Sequence, residues 1–254
     1  MSSLRERVLR KHPNCIFCGG GIPASTIDHV PARAIFDLRD RPGGLEFPAC
    51  EPCNHGARRD EQIAAMISRA YPDASAVAAD ELDGIMQGIT NNHPGLIEEL
   101  TPSFRQEKLA RQKGGPGVGA LRCDGPILNR AMKRFAAKIG FALHFEYTGR
   151  PVPAGGAAGV RWFTNVQAID GELPADLIQL FGEHRTLRQG SKHVEDQFGY
   201  ASVGTPSGSM TAHFATFRVA FAVCAFIGER DDLVRAPPGA QHVTIYHPGW
   251  LKEP

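Results

Sequence analysis

The sequence predicts an α+β fold with a small N-terminal module, a helical middle, and a C-terminal part made of one long helix and an antiparallel sheet. Three observations favour this fold class. Two C-x-x-C pairs enclose a turn-rich stretch near the N-terminus. Later segments carry apolar residues at every third or fourth position, as helices do, and the last segments are rich in β-branched and aromatic residues, as strands are. We expect the three parts to cover residues 1–72, 73–119 and 120–254.

The elements of the first part are short, because Gly and Pro recur throughout it. They are a charged helix or arm at 4–11, a strand at 26–30, a possible return strand at 45–47, and a helix from about residue 54 to 70. The middle contains helices at 75–88 and 95–112 and a Gly-rich linker at 114–119. The last part contains the strongest helix signal, which begins after Pro126, a short helix at 174–181, and strands at 160–164, 197–203, 212–227 and 242–246.

Length and composition are those of an ordinary globular protein. The chain has 254 residues, of which 42% are apolar and 22% charged, so wholesale disorder is not expected. A formal net charge of +1 does not by itself indicate a nucleic-acid partner, although a basic surface can be local. No apolar run reaches the roughly 18–20 residues of a membrane span, and the polar N-terminus lacks the apolar core of a signal peptide. We therefore expect a cytoplasmic protein without a membrane partner.

The two cysteine pairs, Cys15/Cys18 and Cys50/Cys53, have the spacing of a structural zinc site. Each pair supplies two corners of a tetrahedron from one tight turn. A redox dithiol needs one pair beside a βαβ pattern, which is absent, and buried free cysteines are the other alternative. Four thiolates leave no open coordination position, so this zinc would stabilise the fold and take no part in chemistry.

Between and after the pairs lie Asp28, His29 and Asn54, and the complete order resembles a known family. C-x-x-C, then D-H-V-P-x-x-x-x-F, then C-x-x-C-N is similar to the HNH endonucleases, also called ββα-metal or His-Me finger nucleases. Within that family it resembles the zinc-bearing, four-cysteine branch that includes phage junction-resolving endonuclease VII. The resemblance covers residues 13–70, and the C-terminal region resembles no nuclease family.

The resemblance implies a fold and a set of roles. The N-terminal part would be a zinc-stapled ββα-metal module in which Asp28 and Asn54 hold one divalent ion, Mg²⁺ or Mn²⁺. His29 would be the general base that takes a proton from the attacking water. The ion would stabilise charge on the phosphate and on the departing 3′ oxygen, and the products would carry a 5′-phosphate and a 3′-hydroxyl.

Each of these residues also has an ordinary structural interpretation. Asn54 would be only the N-cap of the following helix, where short polar side chains are favoured. Asp28 and His29 would be an ordinary exposed pair. Many family members have an Asn in the loop before the second cysteine pair, where it fixes the catalytic loop. Residues 42–46 contain no Asn, so another residue would have to hold the His29 side chain in place. Glu61 is a third ligand, a residue that contacts the ligands from behind, or simply an exposed helical glutamate.

Three arginines flank the proposed site and are candidate phosphate contacts: Arg33, Arg58 and Arg59. The alternative is a solvated helix face, because runs of charge are usually just surface. A weaker candidate is the set of basic residues on the long helix, namely Arg130, Lys133, Arg134 and Lys138.

The sequence thus predicts a metal-dependent endonuclease that acts on nucleic acid, with double-stranded DNA as the favoured partner and a homodimer as a possible state. One alternative is a non-catalytic, zinc-stabilised nucleic-acid-binding protein. Another is an interaction protein whose C-terminal part is the working domain. DNA or RNA, sequence preference and biological role stay open at this point.

Overall fold

The computed structural model describes residues 2–71, 76–102, 121–170, 175–234 and 243–252. The linker predicted at 114–119 and most of the helix predicted at 95–112 lie outside these ranges. The mixed α+β class predicted from the sequence is confirmed, because helices and an antiparallel sheet both contribute to the described core.

The N-terminal part consists of one helix, a two-stranded antiparallel hairpin and two further helices. Its elements are α1 (Leu4–Lys11), β1 (Thr26–His29), β2 (Glu46–Ala49), α2 (Glu51–Gly56) and α3 (Arg58–Arg69). In the hairpin, Asp28 lies opposite Phe47 and His29 lies opposite Glu46. The predicted strands are therefore confirmed, and the register brings a carboxylate to the histidine.

The helix predicted from about residue 54 to 70 was wrong at its start and in its continuity. Helix α2 begins at Glu51, directly after the extended Cys50, and a proline lies in its first turn, where a missing N–H costs nothing. The chain then breaks at Ala57 before α3 begins. Asn54 consequently lies inside α2, so the interpretation of Asn54 as an N-cap is also wrong.

The central element of the fold is a long helix that follows two shorter ones. The helices are α4 (Ala76–Asn92), α5 (Leu96–Leu100) and α6 (Pro126–Thr148). Proline opens α6, and Gly149 ends it in the left-handed conformation, with φ of 71°. Residues 135–145 of α6 are all buried, as expected for a helix that is surrounded by other elements.

Five strands among the described residues form an antiparallel sheet in the order β6-β7-β8-β3-β9. They are β3 (Ala157–Thr164), β6 (Phe198–Gly204), β7 (Met210–Phe217), β8 (Phe221–Gly228) and β9 (Thr244–Tyr246). Two short helices, α7 (Asn165–Ile169) and α8 (Ala175–Leu180), and a small hairpin, β4 (Arg188–Gln189) with β5 (Lys192–His193), lie between β3 and β6. The predicted strand region 212–227 is thus a hairpin of β7 and β8.

Helix α6 joins the N-terminal part to the sheet through one hydrophobic core. On one side Phe145 packs edge-on against Phe47 of β2, and on the other Phe135 packs against Phe217 of β7. The core cluster includes residues from the cysteine pairs, α3, α6 and the sheet. Contacts therefore cross the predicted boundary at residue 120, while the three-part division itself stays a prediction. No helix in the described ranges has the length and hydrophobicity of a membrane span.

Candidate functional site

The four cysteines predicted as metal ligands form one cluster. The sulfur atoms of Cys15, Cys18, Cys50 and Cys53 all lie within 4.8 Å of one another. Cys18 Sγ is 3.6 Å from Cys50 Sγ and 3.3 Å from Cys53 Sγ. Sulfur atoms that share one tetrahedral zinc ion are roughly 3.8 Å apart, so the cluster is compatible with zinc or a similar metal.

Backbone geometry presents these thiols. Cys15 and Cys50 each precede a short helical turn that carries the second cysteine of the pair. After the first pair the chain reverses through Gly19, whose φ is 71°. The positive φ of the turn favours glycine at this position. The segment after α6 also passes close to Gly19, since a Cβ there would lie only 2.9 Å from the backbone nitrogen of Ala154.

The ionisation of the thiols indicates why this cluster suits a cation. A hydrogen bond from the Cys53 thiol lowers the pKa of Cys15 to about 5. The same bond, with burial, raises the pKa of Cys53 far above its ordinary value, and burial raises that of Cys18 to about 11. Neighbouring thiolates oppose one another, so four of them at this distance need a positive charge among them.

His29 lies at the end of β1 with its side chain half-buried. Its Nδ1 is 3.9 Å from Oε1 of Glu46 on β2, its partner across the hairpin. Glu46 in turn accepts hydrogen bonds from Arg41 Nη1, at 3.2 Å, and from the backbone nitrogen of Gly44, at 2.9 Å. The loop without the expected Asn thus places a glutamate held by an arginine near His29, but among the described residues His29 Nδ1 accepts and donates no hydrogen bond.

The electrostatic surroundings keep the His29 imidazole neutral near pH 7. Burial lowers the pKa of His29 below its ordinary value, and the positive charges of Arg41 and Arg33 lower it further. The carboxylates of Glu46 and Asp28 oppose this shift but do not reverse it. A neutral imidazole is the form that accepts a proton.

Asp28 lies next to His29 in sequence, but its environment is different. It is 5% exposed, and its Oδ2 is 2.7 Å from Nζ of Lys138 on α6. Lys138 is 1% exposed and also lies 2.5 Å from Oε1 of Glu61 on α3. The expectation that Asp28 is an ordinary exposed residue is therefore wrong, and so is the expectation of an exposed Glu61.

A second buried ion pair lies one helical turn from the first. Arg134 of α6 donates from Nε to Oδ2 of Asp60 at 3.0 Å. Two neighbouring carboxylates of α3 are thus held by two cations of α6. The idea that Arg134 and Lys138 contact nucleic acid is wrong, because both side chains are buried in these pairs.

Asn54 is bonded to β1 near Asp28. Its Nδ2 donates to Thr26 Oγ1 at 3.2 Å and to the Ile27 carbonyl at 3.1 Å. Side chains two residues apart on a strand share a face, so the Thr26 side chain, to which Asn54 is bonded, and that of Asp28 lie on one face of β1. Both bonds use Nδ2, which makes Oδ1 the atom that Asn54 has to offer a ligand.

The three predicted nucleic-acid contacts, Arg33, Arg58 and Arg59, are all exposed. Arg33 lies in a short helical turn after β1 and is close enough to His29 to affect its pKa. Arg58 and Arg59 begin α3, directly after α2. All three arginines are therefore open to solvent.

Sequence reasoning missed two residues that shape the site, Glu46 and Lys138. The cross-strand position of Glu46 depends on a hairpin register that a loop of this length does not specify. Lys138 lies 110 positions from Asp28 along the chain. Its only signal is that it interrupts an otherwise apolar part of α6, where a charge requires a buried partner.

Comparison with known proteins adds no further assignment. The chain matches no family model, no curated protein and no solved structure.

Proposed function

We propose that this chain is a zinc-stabilised endonuclease of the HNH type that hydrolyses phosphodiester bonds in nucleic acid. One observation carries the proposal. The β1–β2 hairpin passes through the cysteine cluster into α2, and Asn54 is bonded back to β1 next to the Asp28-His29 pair. A protein that only needs a metal-stabilised fold has no use for a neutral histidine and an amide side chain held at this position.

In the proposed reaction His29 accepts a proton from the water that attacks phosphorus. Its lowered pKa keeps it in the accepting form near pH 7. Once protonated, the imidazolium is stabilised by the Glu46 carboxylate, whose oxygen lies 3.9 Å away. Arg41 holds Glu46 by a hydrogen bond, so this negative charge stays near the imidazole.

The donor chemistry around Asn54 suits a hard divalent ion. Asp28 offers a carboxylate and Asn54 an amide oxygen on one face of β1, and Mg²⁺ and Mn²⁺ prefer such oxygen ligands. When bound, the ion would supply positive charge to the phosphate and the departing oxygen. Lys138 already contacts one carboxylate oxygen of Asp28, so only the other is available to the ion.

The proposed substrate is double-stranded DNA, bound with the phosphate backbone against Arg33, Arg58 and Arg59. Arg33 lies on the loop that joins β1 to β2, and Arg58 and Arg59 lie at the start of α3, after the hairpin in the chain. Backbone contacts of this kind position a duplex and do not read its sequence. Sequence or structure preference would come from other surfaces.

The test is plasmid cleavage by the full, zinc-loaded chain with Mg²⁺ or Mn²⁺. We expect the wild type to nick or cut DNA and His29→Ala to reduce the rate at least about 100-fold, the usual contribution of a general base. His55→Ala is the matched control, because His55 is an exposed histidine on α2, next to Asn54. Both variants should retain one zinc per chain and bind DNA.

The outcome also decides between the proposal and its main alternative. The burial of Asp28 favours a non-catalytic, zinc-stabilised nucleic-acid-binding protein. If the wild type binds duplex DNA but cuts no duplex, branched or single-stranded substrate with either ion, that alternative holds. Equal cutting by wild type and His29→Ala would exclude His29 as the base.

A further inference from the structure

The Asp28 carboxylate already has a cation, and it comes from the C-terminal part of the chain. Lys138 Nζ lies 2.7 Å from Asp28 Oδ2 and 2.5 Å from Glu61 Oε1. All three residues are buried, with between 1% and 8% of their surface exposed. One ammonium is thus shared by two carboxylates, one from β1 and one from α3.

We propose that Lys138 is the resident cation of this site and a positioning residue, which sets how tightly a divalent ion binds at Asp28. The inference rests on the ion site of the proposed function and goes beyond it by naming what that ion must compete with. Lys138 is buried, so it acts on a bound ion through its contact with Asp28 and not as a ligand or as a contact to substrate.

Electrostatics gives the direction of the effect. A divalent ion at Asp28 would stand within a few ångströms of a buried positive charge, where repulsion is poorly screened. It would also compete with Lys138 for the same carboxylate. Lys138 therefore weakens ion binding at Asp28, although it holds the carboxylate in place.

Glu61 makes this competition reversible. Glu61 is the second partner of Lys138. It can therefore keep the ammonium paired when an ion binds the Asp28 carboxylate. Without Glu61, Lys138 would have Asp28 as its sole carboxylate partner among the described contacts, and the ion would have to displace a stronger pair. The two residues therefore affect ion affinity in opposite directions.

The experiment measures Mn²⁺ binding to the zinc-loaded full chain by the electron paramagnetic resonance signal of free Mn²⁺, with Mg²⁺ as competitor. We expect Lys138→Met, which keeps the apolar stem and removes the charge, to bind Mn²⁺ at least about tenfold more tightly than the wild type. Glu61→Gln should bind it several-fold more weakly. Asp28→Asn in the Lys138→Met background should abolish the gain.

Two controls separate charge from general loosening of the fold. Arg134→Met removes a buried cation of the same helix that pairs with Asp60 and not with Asp28, and should change the affinity less than about threefold. Lys138→Arg restores the charge and should restore weak binding. Zinc content and circular dichroism verify that each variant is folded.

Opposite shifts in Lys138→Met and Glu61→Gln support the inference, because a merely structural role would weaken binding in both. Shifts in the same direction, no shift, or the absence of Mn²⁺ binding from every variant overturn it. Cleavage of nucleic acid is not part of the readout. A chain that cuts no DNA but shows the opposite shifts would therefore refute the proposed function and leave the competition at Asp28 intact.

Discussion

Glu61 makes the stability of the protein depend on pH in a way that one substitution can isolate. The Glu61 side chain projects from α3 and is buried against α6. When ionised it donates no hydrogen bond, and it accepts one from Lys138. Burial raises the pKa of Glu61 from 4.5 to about 7, even though the Lys138 charge opposes the shift. Replacement by Gln removes the titration and keeps the size of the side chain.

The sign of the effect follows from proton linkage. Because the folded state holds the Glu61 proton more tightly than the unfolded state, the stability from this group is fully present below pH 4.5 and lost as pH rises to about 7. A shift of this size corresponds to about 3 kcal/mol of unfolding free energy. About 2 kcal/mol of that loss falls between about pH 5.5 and about pH 8.5, a range in which zinc can stay bound.

The assay is urea unfolding of the zinc-loaded chain across that range, followed by tryptophan fluorescence. Other titrating groups are common to both proteins, so the difference between Glu61→Gln and wild type should grow in favour of the variant by about 2 kcal/mol as pH rises. Glu98→Gln, an exposed glutamate of α5, should run parallel to the wild type. Parallel curves for Glu61→Gln would refute the argument that Glu61 titrates in this interval.

Three further outcomes follow from the contacts. Cys53→Ser should lower the zinc content from one per chain to nearly none and unfold the β1–β2 region, because the cluster needs all four thiolates; metal analysis and circular dichroism would show this. Glu46→Gln removes a negative charge 3.9 Å from His29 Nδ1 and should lower the His29 pKa further below its ordinary value in an NMR titration. An unchanged pKa would show that the Glu46 charge does not act on His29. Gly140→Ala should destabilise the fold by about 1–3 kcal/mol, because the new Cβ would lie 2.5 Å from a methyl group of β8. Gly84→Ala on α4 places its Cβ in open space and should stabilise the fold by about 0.5–1 kcal/mol, because Ala favours the helix more than Gly does. Chemical denaturation measures both, and equal effects would contradict the packing argument.

Local pattern was sufficient for most of the fold. Period-3.6 spacing marked α6, and Pro126 and Gly149 marked its ends, because capping and helix geometry depend on neighbouring residues. The β-branched and aromatic segments marked β3 and β6 to β9. The helix pair α2 and α3 was the main error, since the break at Ala57 leaves no change in composition.

The candidate site was predictable only in part, for the same reason. Cysteine spacing identified the four thiols because each pair is a local turn. The partners of Asp28 and His29 were not predictable, since Lys138 and Glu46 reach them through tertiary packing and strand register. Spacing along a chain does not encode such contacts.

By itself, then, the sequence determined which chemical groups this protein has in its N-terminal part: four thiols in two turns, an acid-histidine pair and an amide after the last cysteine. The tertiary structure decided how those groups are charged and which of them face solvent. Helix α6 places a buried ammonium on Asp28, and the hairpin places a carboxylate opposite His29. Burial and the distance between charges set ionisation and ligand affinity, and both are properties of the folded chain alone.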